Sequence, residues 1–119
     1  GHVIHAWVMD TEPKRQEGMM FLKDPNVKDD QGMLFVFKVE QGPLNGFCMH
    51  NTILPLDIIY IDAAGKVLNV QKGKPFDETS LPAKGDYLFT LELKQGQAEK
   101  LDIKAGSTVV IPESISAQE

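Results

Sequence analysis

Residues 47–62 read Phe-Cys-Met-His-Asn-Thr-Ile-Leu-Pro-Leu-Asp-Ile-Ile-Tyr-Ile-Asp and contain the strongest strand signal in the chain. We interpret residues 47–52 as one strand and residues 56–62 as the next, with Pro55 marking the break between them. The second strand is apolar on both faces, which is typical of a strand in the core of a sheet. This stretch therefore favours a β fold. It also holds the only cysteine, Cys48.

Asp57 is an acid between two apolar neighbours, Leu56 and Ile58, at the start of the second of these strands. Burying a charge without partners is costly, so we expect strong hydrogen-bond donors around this carboxylate. The donors we predict are Arg15 and the backbone N–H groups of the turn at residues 51–54. In that arrangement Asp57 would have an architectural role and would fix the turn.

Further strand patterns, joined by turns, occur along the rest of the chain. Gly32–Phe37 has no polar face and is predicted to be a buried strand beside residues 58–61 in the core. His2–Met9 carries apolar groups on both faces, which indicates a strand covered on both sides. A hairpin connection at Asp62–Lys66 is predicted to lead into the next strand. The remaining predicted strands are Val67–Val70, Tyr87–Leu93 and Thr108–Ile111.

One helix is predicted between roughly Thr11 and Leu22. Thr11 can cap its N-terminus, Pro13 is tolerated in the first turn, and Gly18 can end it. About seven short strands and one early helix predict a mainly β sandwich or barrel. The length of 119 residues fits a single domain over residues 1–119, with a polar tail from about residue 112.

The composition of the chain disfavours some classes of binding partner. The net charge is −5 and the twelve basic residues are scattered, whereas nucleic acid and anionic membrane surfaces require a concentrated basic patch. We therefore predict no nucleic-acid partner. No apolar run approaches the roughly 20 residues of a spanning helix, so we predict no membrane-spanning segment. The chain has no phosphate-binding glycine loop, nucleophilic serine elbow or zinc-binding His-Glu-x-x-His helix, which disfavours several common enzyme classes.

The N-terminus begins abruptly, with strand-like alternation starting by Val3 and no methionine before Gly1. Removal of a secretory signal is one explanation for this start. Removal of a disordered tail is the other, and the sequence leaves both open.

Five separated motifs resemble the domain-of-unknown-function 192 family in their order and spacing, over about residues 7–110. They are Arg15 three residues before Gly18-Met19-Met20-Phe21, the strand Gly32–Phe37, the segment Phe47–Thr52, the segment Leu54–Asp62, and Leu91-Glu92-Leu93 shortly before Gly96. The resemblance implies a compact, mainly β domain with a jelly-roll-like or barrel-like sandwich. It also implies a bacterial or archaeal protein, often behind an export signal, and no established activity, cofactor or substrate.

The chain departs from the pattern of that family at four positions. The family usually has Trp at Cys48, Lys at His50, Leu at Met19 and Arg at Leu22. A role of the family's Trp or Lys toward a shared ligand would therefore not carry over to this chain. The Met19 change nearly conserves side-chain volume.

The pair Asn51-Thr52 has two interpretations. Both side chains can satisfy local backbone groups in a turn. Alternatively, they form a small polar recognition patch at the mouth of a pocket, where a few placed polar groups orient a ligand.

Asp57 and Glu92 are acids in otherwise apolar strands, and they also have two interpretations. In the structural one, Arg15 pairs with one of them, because its planar fork suits a carboxylate. In the catalytic one, the two carboxylates share a cleft for acid–base chemistry, as in glycoside hydrolysis.

Cys48 and His50 are two residues apart, which on a strand puts both side chains on one face. Thiolate and thioether ligands favour Cu(I), and imidazole suits several metals, so this pair is a candidate soft-metal site. The alternative is that Cys48 is a buried hydrophobic residue that fills part of the volume of the family's Trp.

Three functions follow from these candidates. The leading one is a non-catalytic module, outside the cytoplasm, that binds a small molecule or a protein partner and needs no cofactor. The second is a soft-metal binder that uses Cys48 and His50, and the third is a hydrolase that uses Asp57 and Glu92. The candidate ligand-binding residues are Arg15, His50, Asn51, Thr52, Asp57 and Glu92.

Overall fold

The computed structural model describes all 119 residues. Five strands, two short α-helices and one 3-10 turn follow one another along the chain. Their bounds are β1 His5–Met9, α1 Glu12–Glu17, the 3-10 turn Asp24–Asn26, β2 Gln31–Gln41, β3 Leu56–Ile61, β4 Val67–Gly73, β5 Tyr87–Lys94 and α2 Gln97–Lys100. None of the helices has the length and apolar content that crossing a membrane requires.

The strands form one mixed sheet in the order β1-β2-β5-β3-β4. β1 runs parallel to β2, and the other neighbouring pairs are antiparallel. The mainly β class is therefore confirmed. The sheet does not close into a barrel, because β1 and β4 remain at its two edges. All named strands belong to this one sheet, so the sandwich or jelly-roll detail is not confirmed.

Both faces of the sheet are buried, and each has its own apolar cluster. The face we call the cleft face is covered by side chains from residues 19–27, 47–54 and 81–83. The face we call the C-terminal face is covered by α2 and by residues 101–117. Strand residues alternate between the two, so β3 sends Ile58 and Tyr60 to the cleft face and Ile59 and Ile61 to the C-terminal face.

Helix α1 begins where the sequence predicts it but ends at Glu17, well before the predicted limit at Leu22. The Thr11 side chain accepts a hydrogen bond from the Lys14 backbone N–H, and Pro13 occupies the first turn. Gly18 ends the helix with φ +46°, and a Cβ there would lie 3.0 Å from the ring of Phe35. A residue other than glycine would be strained at this φ and would crowd the sheet, so Gly18 lets the helix end close against it.

Two predictions about strand placement are wrong. β1 pairs only with β2 and is an exposed edge strand through Trp7, rather than a strand covered on both sides. β2 does not lie beside β3, because β5 pairs with both and separates them. β5 is apolar on the C-terminal face but carries Thr90 and Glu92 on the cleft face, and its central position buries both polar residues.

Two predicted strands do not form. In residues 47–52 the only ladder contact is a single bridge from Phe47 to Leu81, and Asn51 adopts a left-handed φ of +51°. The Met49 N–H bonds to the Asp77 carbonyl, so the backbone of this segment is satisfied by a loop instead of a strand. Residues 108–111 likewise make one bridge, between Thr108 and Lys66.

The segment predicted to be a polar tail lies against the domain. Ile115 and Ala117 pack against the cluster on the C-terminal face. The Gln118 N–H donates to the Asp10 carbonyl at 2.8 Å, and the main-chain oxygen of Glu119 accepts a hydrogen bond from Arg15. The chain after residue 112 therefore connects the C-terminal face to α1.

Candidate functional site

A cleft of about 370 Å³ lies on the cleft face, between α1 and the segment of residues 45–52. Its aromatic walls and its polar groups come from α1, from two strands of the sheet and from that segment. The aromatic lining residues are Phe35, Phe37, Phe47 and Tyr87, and the polar ones used below are Arg15, His50, Thr52 and Glu92. Its size is at the lower end of the range typical of small-molecule sites.

Two tyrosine hydroxyls tether the wall of the cleft to the sheet. The Tyr60 hydroxyl donates to the Leu81 carbonyl at 2.5 Å and accepts from the Phe47 N–H at 2.9 Å. The Tyr87 hydroxyl donates to the Asn45 carbonyl. Burial raises the pKa of Tyr60 above its usual range and raises the pKa of Tyr87 to about 12. Both hydroxyls therefore keep their protons and can hold the segment by donation.

The aromatic rings of the cleft pack edge to face. The Phe35 and Phe47 rings lie 4.9 Å apart between centroids, and the Phe37 and Tyr87 rings lie 5.7 Å apart, both nearly perpendicular. This is the geometry that aromatic quadrupoles favour. The cluster gives the cleft a rigid apolar wall.

Glu92 lies at the floor of the cleft on the central strand β5. Its register partners are Met33 on β2 and Ile58 on β3, both buried in the same cluster. The residue is 4% exposed, and burial raises the pKa of its carboxyl to about 8. No hydrogen bond from the protein contributes to that shift. Glu92 is therefore mainly a neutral acid at pH 7, with a proton to donate into the cleft.

Arg15 lines the cleft, but its guanidinium is already engaged. It donates to the Val36 carbonyl at 2.9 Å, to Glu12 at 3.1 Å and to the main-chain oxygen of Glu119 at 2.7 Å. Its guanidinium carbon also lies 5.4 Å from the centre of the Phe37 ring. Neither Asp57 nor Glu92 pairs with Arg15, so the predicted ion pair does not form.

His50, Asn51 and Thr52 form a turn at the edge of the cleft. The Thr52 hydroxyl donates to the His50 carbonyl at 2.9 Å, and Asn51 has the left-handed φ that Asn tolerates. The His50 ring lies 3.1 Å from a Glu78 oxygen and 3.2 Å from the Asn51 amide. The turn interpretation describes these contacts. His50 and Thr52 line the cleft as well.

Asp57 lies on the opposite face of the sheet from Glu92, because its neighbour Ile58 is the register partner of Glu92. Its carboxylate accepts hydrogen bonds from the N–H groups of Gly96 at 2.9 Å and Ala98 at 3.0 Å. The predicted partners, Arg15 and the 51–54 turn, are therefore wrong. Asp57 instead satisfies backbone donors at the start of α2, which a carboxylate does well.

Cys48 is exposed and lines the same cleft as His50, so it is not the buried hydrophobic residue of the alternative interpretation. The strand geometry that was to place the two side chains on one face does not form. No group of three or more His, Cys, Asp or Glu side chains lies close enough together to hold a metal ion.

The sequence reading did not identify the aromatic wall as part of the site. Phe37 and Tyr87 are strand residues, and their pattern indicated only burial. The one available signal was the position of Phe47, which directly precedes the candidate residue Cys48 and could have indicated an aromatic side chain in the site.

The family model DUF192, described as uncharacterized ACR, matches residues 1–111. A solved structure of a protein of unknown function from Novosphingobium aromaticivorans DSM 12444 is 34% identical, with a TM-score of 0.81, over 92% of this chain and 76% of that chain. A protein from Sinorhizobium meliloti 1021, described as a proposed transcription regulator, is 26% identical, with a TM-score of 0.77, over 87% of this chain and 78% of that chain. No curated protein matches.

Proposed function

Because this chain belongs to the uncharacterized DUF192 family, we propose its function from the cleft: it is a non-catalytic module that binds a small ligand. The observation that carries this proposal is the combination of an aromatic wall with a buried acid that has no protein partner. Ligand sites in proteins are mainly apolar with a few placed polar groups, and this cleft has that composition.

The rigidity of the cleft supports binding. Its wall is tied to the sheet by the Tyr60 and Tyr87 hydroxyls, and its floor is the central strand β5. A site that is formed before the ligand arrives loses less entropy on binding.

The hydrolase alternative has little support in this geometry. It requires two carboxylates in one cleft, whereas Asp57 and Glu92 lie on opposite faces of the sheet. Glu12 and Glu17 also line the cleft, but both are exposed on α1, and Glu12 is bonded to Arg15.

The soft-metal alternative ranks second. Cys48 and His50 share the cleft and Cys48 is exposed, which supports access of a metal ion to the thiol. The imidazole already has Glu78 and Asn51 as neighbours, and a third ligand of these residue types is missing. Elemental analysis after dialysis against Cu(I) tests this alternative, and we expect well under one metal per chain.

The proposal includes a location outside the cytoplasm. It is supported by the resemblance to a family in which the domain is often preceded by an N-terminal export signal. Fractionation of cells that express the complete gene tests it, with the protein expected in the extracytoplasmic fraction.

A fragment screen tests the binding proposal. The ¹⁵N-labelled protein is titrated with mixtures of small aromatic and polar fragments, and amide shifts are followed in ¹H–¹⁵N spectra. We expect binding fragments to shift residues of the cleft, with Phe47 and Thr52 among them, and to be recovered chemically unchanged. Fragment shifts scattered over the surface, or no shifts at all, would contradict the proposal.

A matched pair of variants serves as the control. Gln16 is exposed on α1 and lines the cleft, so Gln16→Trp should narrow the entrance and weaken fragment binding. Lys100 is exposed on α2 at the other face, so Lys100→Trp should leave binding unchanged.

A further inference from the structure

The most unusual polar group of the molecule is the Glu92 carboxyl. It is buried at the floor of the cleft, on the central strand, and no residue hydrogen-bonds to it. Buried polar groups in folded proteins nearly always have a partner. Asp57, which is equally buried, has two backbone donors. A partner for the Glu92 carboxyl, whether water or a ligand, must therefore come from the cleft that this residue lines.

The charges around the cleft make an anion an unsuitable partner. The two basic side chains that line it already have acidic neighbours: the Arg15 guanidinium pairs with Glu12, and the His50 ring lies 3.1 Å from a Glu78 oxygen. Glu17 adds another acid at the rim. An incoming carboxylate or phosphate would meet acids and no uncommitted cation.

We infer that the cleft takes a small uncharged molecule with a carboxamide-like group: Glu92 donates a hydrogen bond to its oxygen, while an aromatic or apolar body packs against Phe37, Phe47 and Tyr87. The inference rests on the proposed function and names the chemical class of the ligand. A protonated carboxyl has one donor and one acceptor, which match the acceptor and donor of an amide. The apolar wall supplies area for the rest of the molecule.

The pH dependence of binding follows from the same group. Burial raises the pKa of Glu92 to about 8, so the donor is present at neutral pH and is lost in alkaline solution. Ionised Glu92 would instead attract a cation of the same shape. The other titratable or charged groups that face the cleft or its floor are Glu12, Arg15, Glu17, Cys48, His50, Tyr60 and Tyr87.

Three probes of one shape test the inference: neutral benzamide, cationic benzamidinium and anionic benzoate. Each is titrated into the ¹⁵N-labelled protein at about pH 6 and about pH 9.5, on either side of the raised pKa. We expect benzamide to bind in the cleft at the lower pH and to weaken at the higher one. Benzamidinium should show the reverse order, and benzoate should be the weakest of the three at both.

Two variants of Glu92 separate its role from that of its neighbours. Glu92→Met removes the donor and should weaken benzamide about tenfold at the lower pH, which corresponds to the loss of one hydrogen bond of ordinary strength. Glu92→Gln keeps an N–H donor and cannot ionise, so benzamide should bind it equally at both pH values. His50 and Cys48 remain in both variants, so a pH dependence that came from them would persist in Glu92→Gln.

The result that overturns the inference is distinct from a failure of the proposed function. If fragments bind in the cleft but benzamide does not, or binds Glu92→Met as tightly as the parent, the cleft is a ligand site and Glu92 is not its recognition group. If no fragment of any class shifts the cleft residues, both proposals fail. The ¹H–¹⁵N spectrum of each variant shows in the same experiment that it is folded.

Discussion

The two faces of the central sheet each bury one acid, and the two acids have different surroundings. Asp57 on the C-terminal face is 2% exposed and accepts two backbone hydrogen bonds from the start of α2. Glu92 on the cleft face is 4% exposed and accepts none. The two residues are on neighbouring strands, one register position apart. Burial is therefore the same for both, and the hydrogen-bond partners distinguish them.

The hydrogen-bond donors around a buried acid decide whether it is charged. A carboxylate whose donors come from the backbone is part of the architecture, because removing it leaves those donors unsatisfied. A carboxyl without donors keeps its proton, since burial disfavours the charged form. Such a group destabilises the fold when it ionises.

The largest expected effect is a pH-dependent loss of stability caused by Glu92. Its pKa is near 4.5 in the unfolded chain and about 8 in the folded one, so the folded state binds one more proton between these values. The free energy of unfolding should therefore be unaffected by this group below about pH 4.5 and fall as pH rises to about 8. The expected loss is about 3–5 kcal/mol in total. Urea unfolding across this range measures it.

Glu92→Gln isolates that contribution from those of the other carboxylates. The variant cannot ionise at this position, so the difference in free energy of unfolding between variant and parent should grow in favour of the variant up to about pH 8. Parallel pH profiles would show that Glu92 titrates as an ordinary carboxyl, and the contrast with Asp57 would be lost.

Asp57→Ala should have the next largest effect, and in the opposite direction. It leaves the N–H groups of Gly96 and Ala98 without their acceptor, which costs about 1–3 kcal/mol for each group that water does not reach. We expect a loss of about 2–4 kcal/mol in urea unfolding near neutral pH. Asp57→Asn keeps one acceptor oxygen and should lose less.

The control for Asp57 is Asp86→Ala, which removes an exposed acid. It should leave the unfolding midpoint unchanged. An Asp57→Ala protein as stable as the parent would contradict the architectural role of Asp57, since both buried acids would then be dispensable for the fold.

The sequence predicted the parts of the fold that depend on local pattern. The apolar runs of β2 and β3, the hairpin at Gly65, and α1 with its Thr11 cap and Gly18 end were all predictable from residue types. The order of the strands was not, because β2 and β3 are apolar on both faces, whereas β5 alternates and carries Thr90 and Glu92 on the cleft face. Nothing local indicates which of the three lies between the other two.

The site was predictable only in part for the same reason. Four of the site residues predicted from the sequence line the same cleft: Arg15, His50, Thr52 and Glu92. Asp57 does not, because its side is set by strand register and its donors come from a helix 39 residues later in the chain. Long-range pairing of this kind leaves no signal in a single sequence.

Arg15→Ala tests whether the rim of the cleft is structural, with an expected effect below that of Asp57. It removes hydrogen bonds to Val36 and Glu119 and the contact with Phe37, from a side chain that is 10% exposed. We expect a loss of about 1–2 kcal/mol in urea unfolding. Lys14→Ala is the control, because its contact with Asp10 is on the surface and should contribute little. A loss no larger than that of Lys14→Ala would show that the contacts of Arg15 contribute little to stability, so that its guanidinium could exchange them for a ligand.

The smallest expected effects on stability come from substitutions of two buried threonines, Thr90 and Thr52, on the cleft side of the molecule. Thr90 lies two residues before Glu92, is fully buried, and its hydroxyl has no hydrogen-bond partner. Thr52 is 5% exposed, and its hydroxyl donates to the His50 carbonyl. Thr90→Val replaces an unsatisfied hydroxyl by a methyl group of similar size and should be neutral or stabilise by up to about 1 kcal/mol. Thr52→Val removes a bond and should cost about 0.5–1.5 kcal/mol. Urea unfolding of both variants measures these changes. For these uncharged groups, as for the two acids, we expect the hydrogen-bond partner, and not burial, to decide whether the substitution raises or lowers the free energy of unfolding. A destabilised Thr90→Val protein would show that the Thr90 hydroxyl has a hydrogen-bond partner after all, and the unpartnered state of Glu92 on the same face would then be in question.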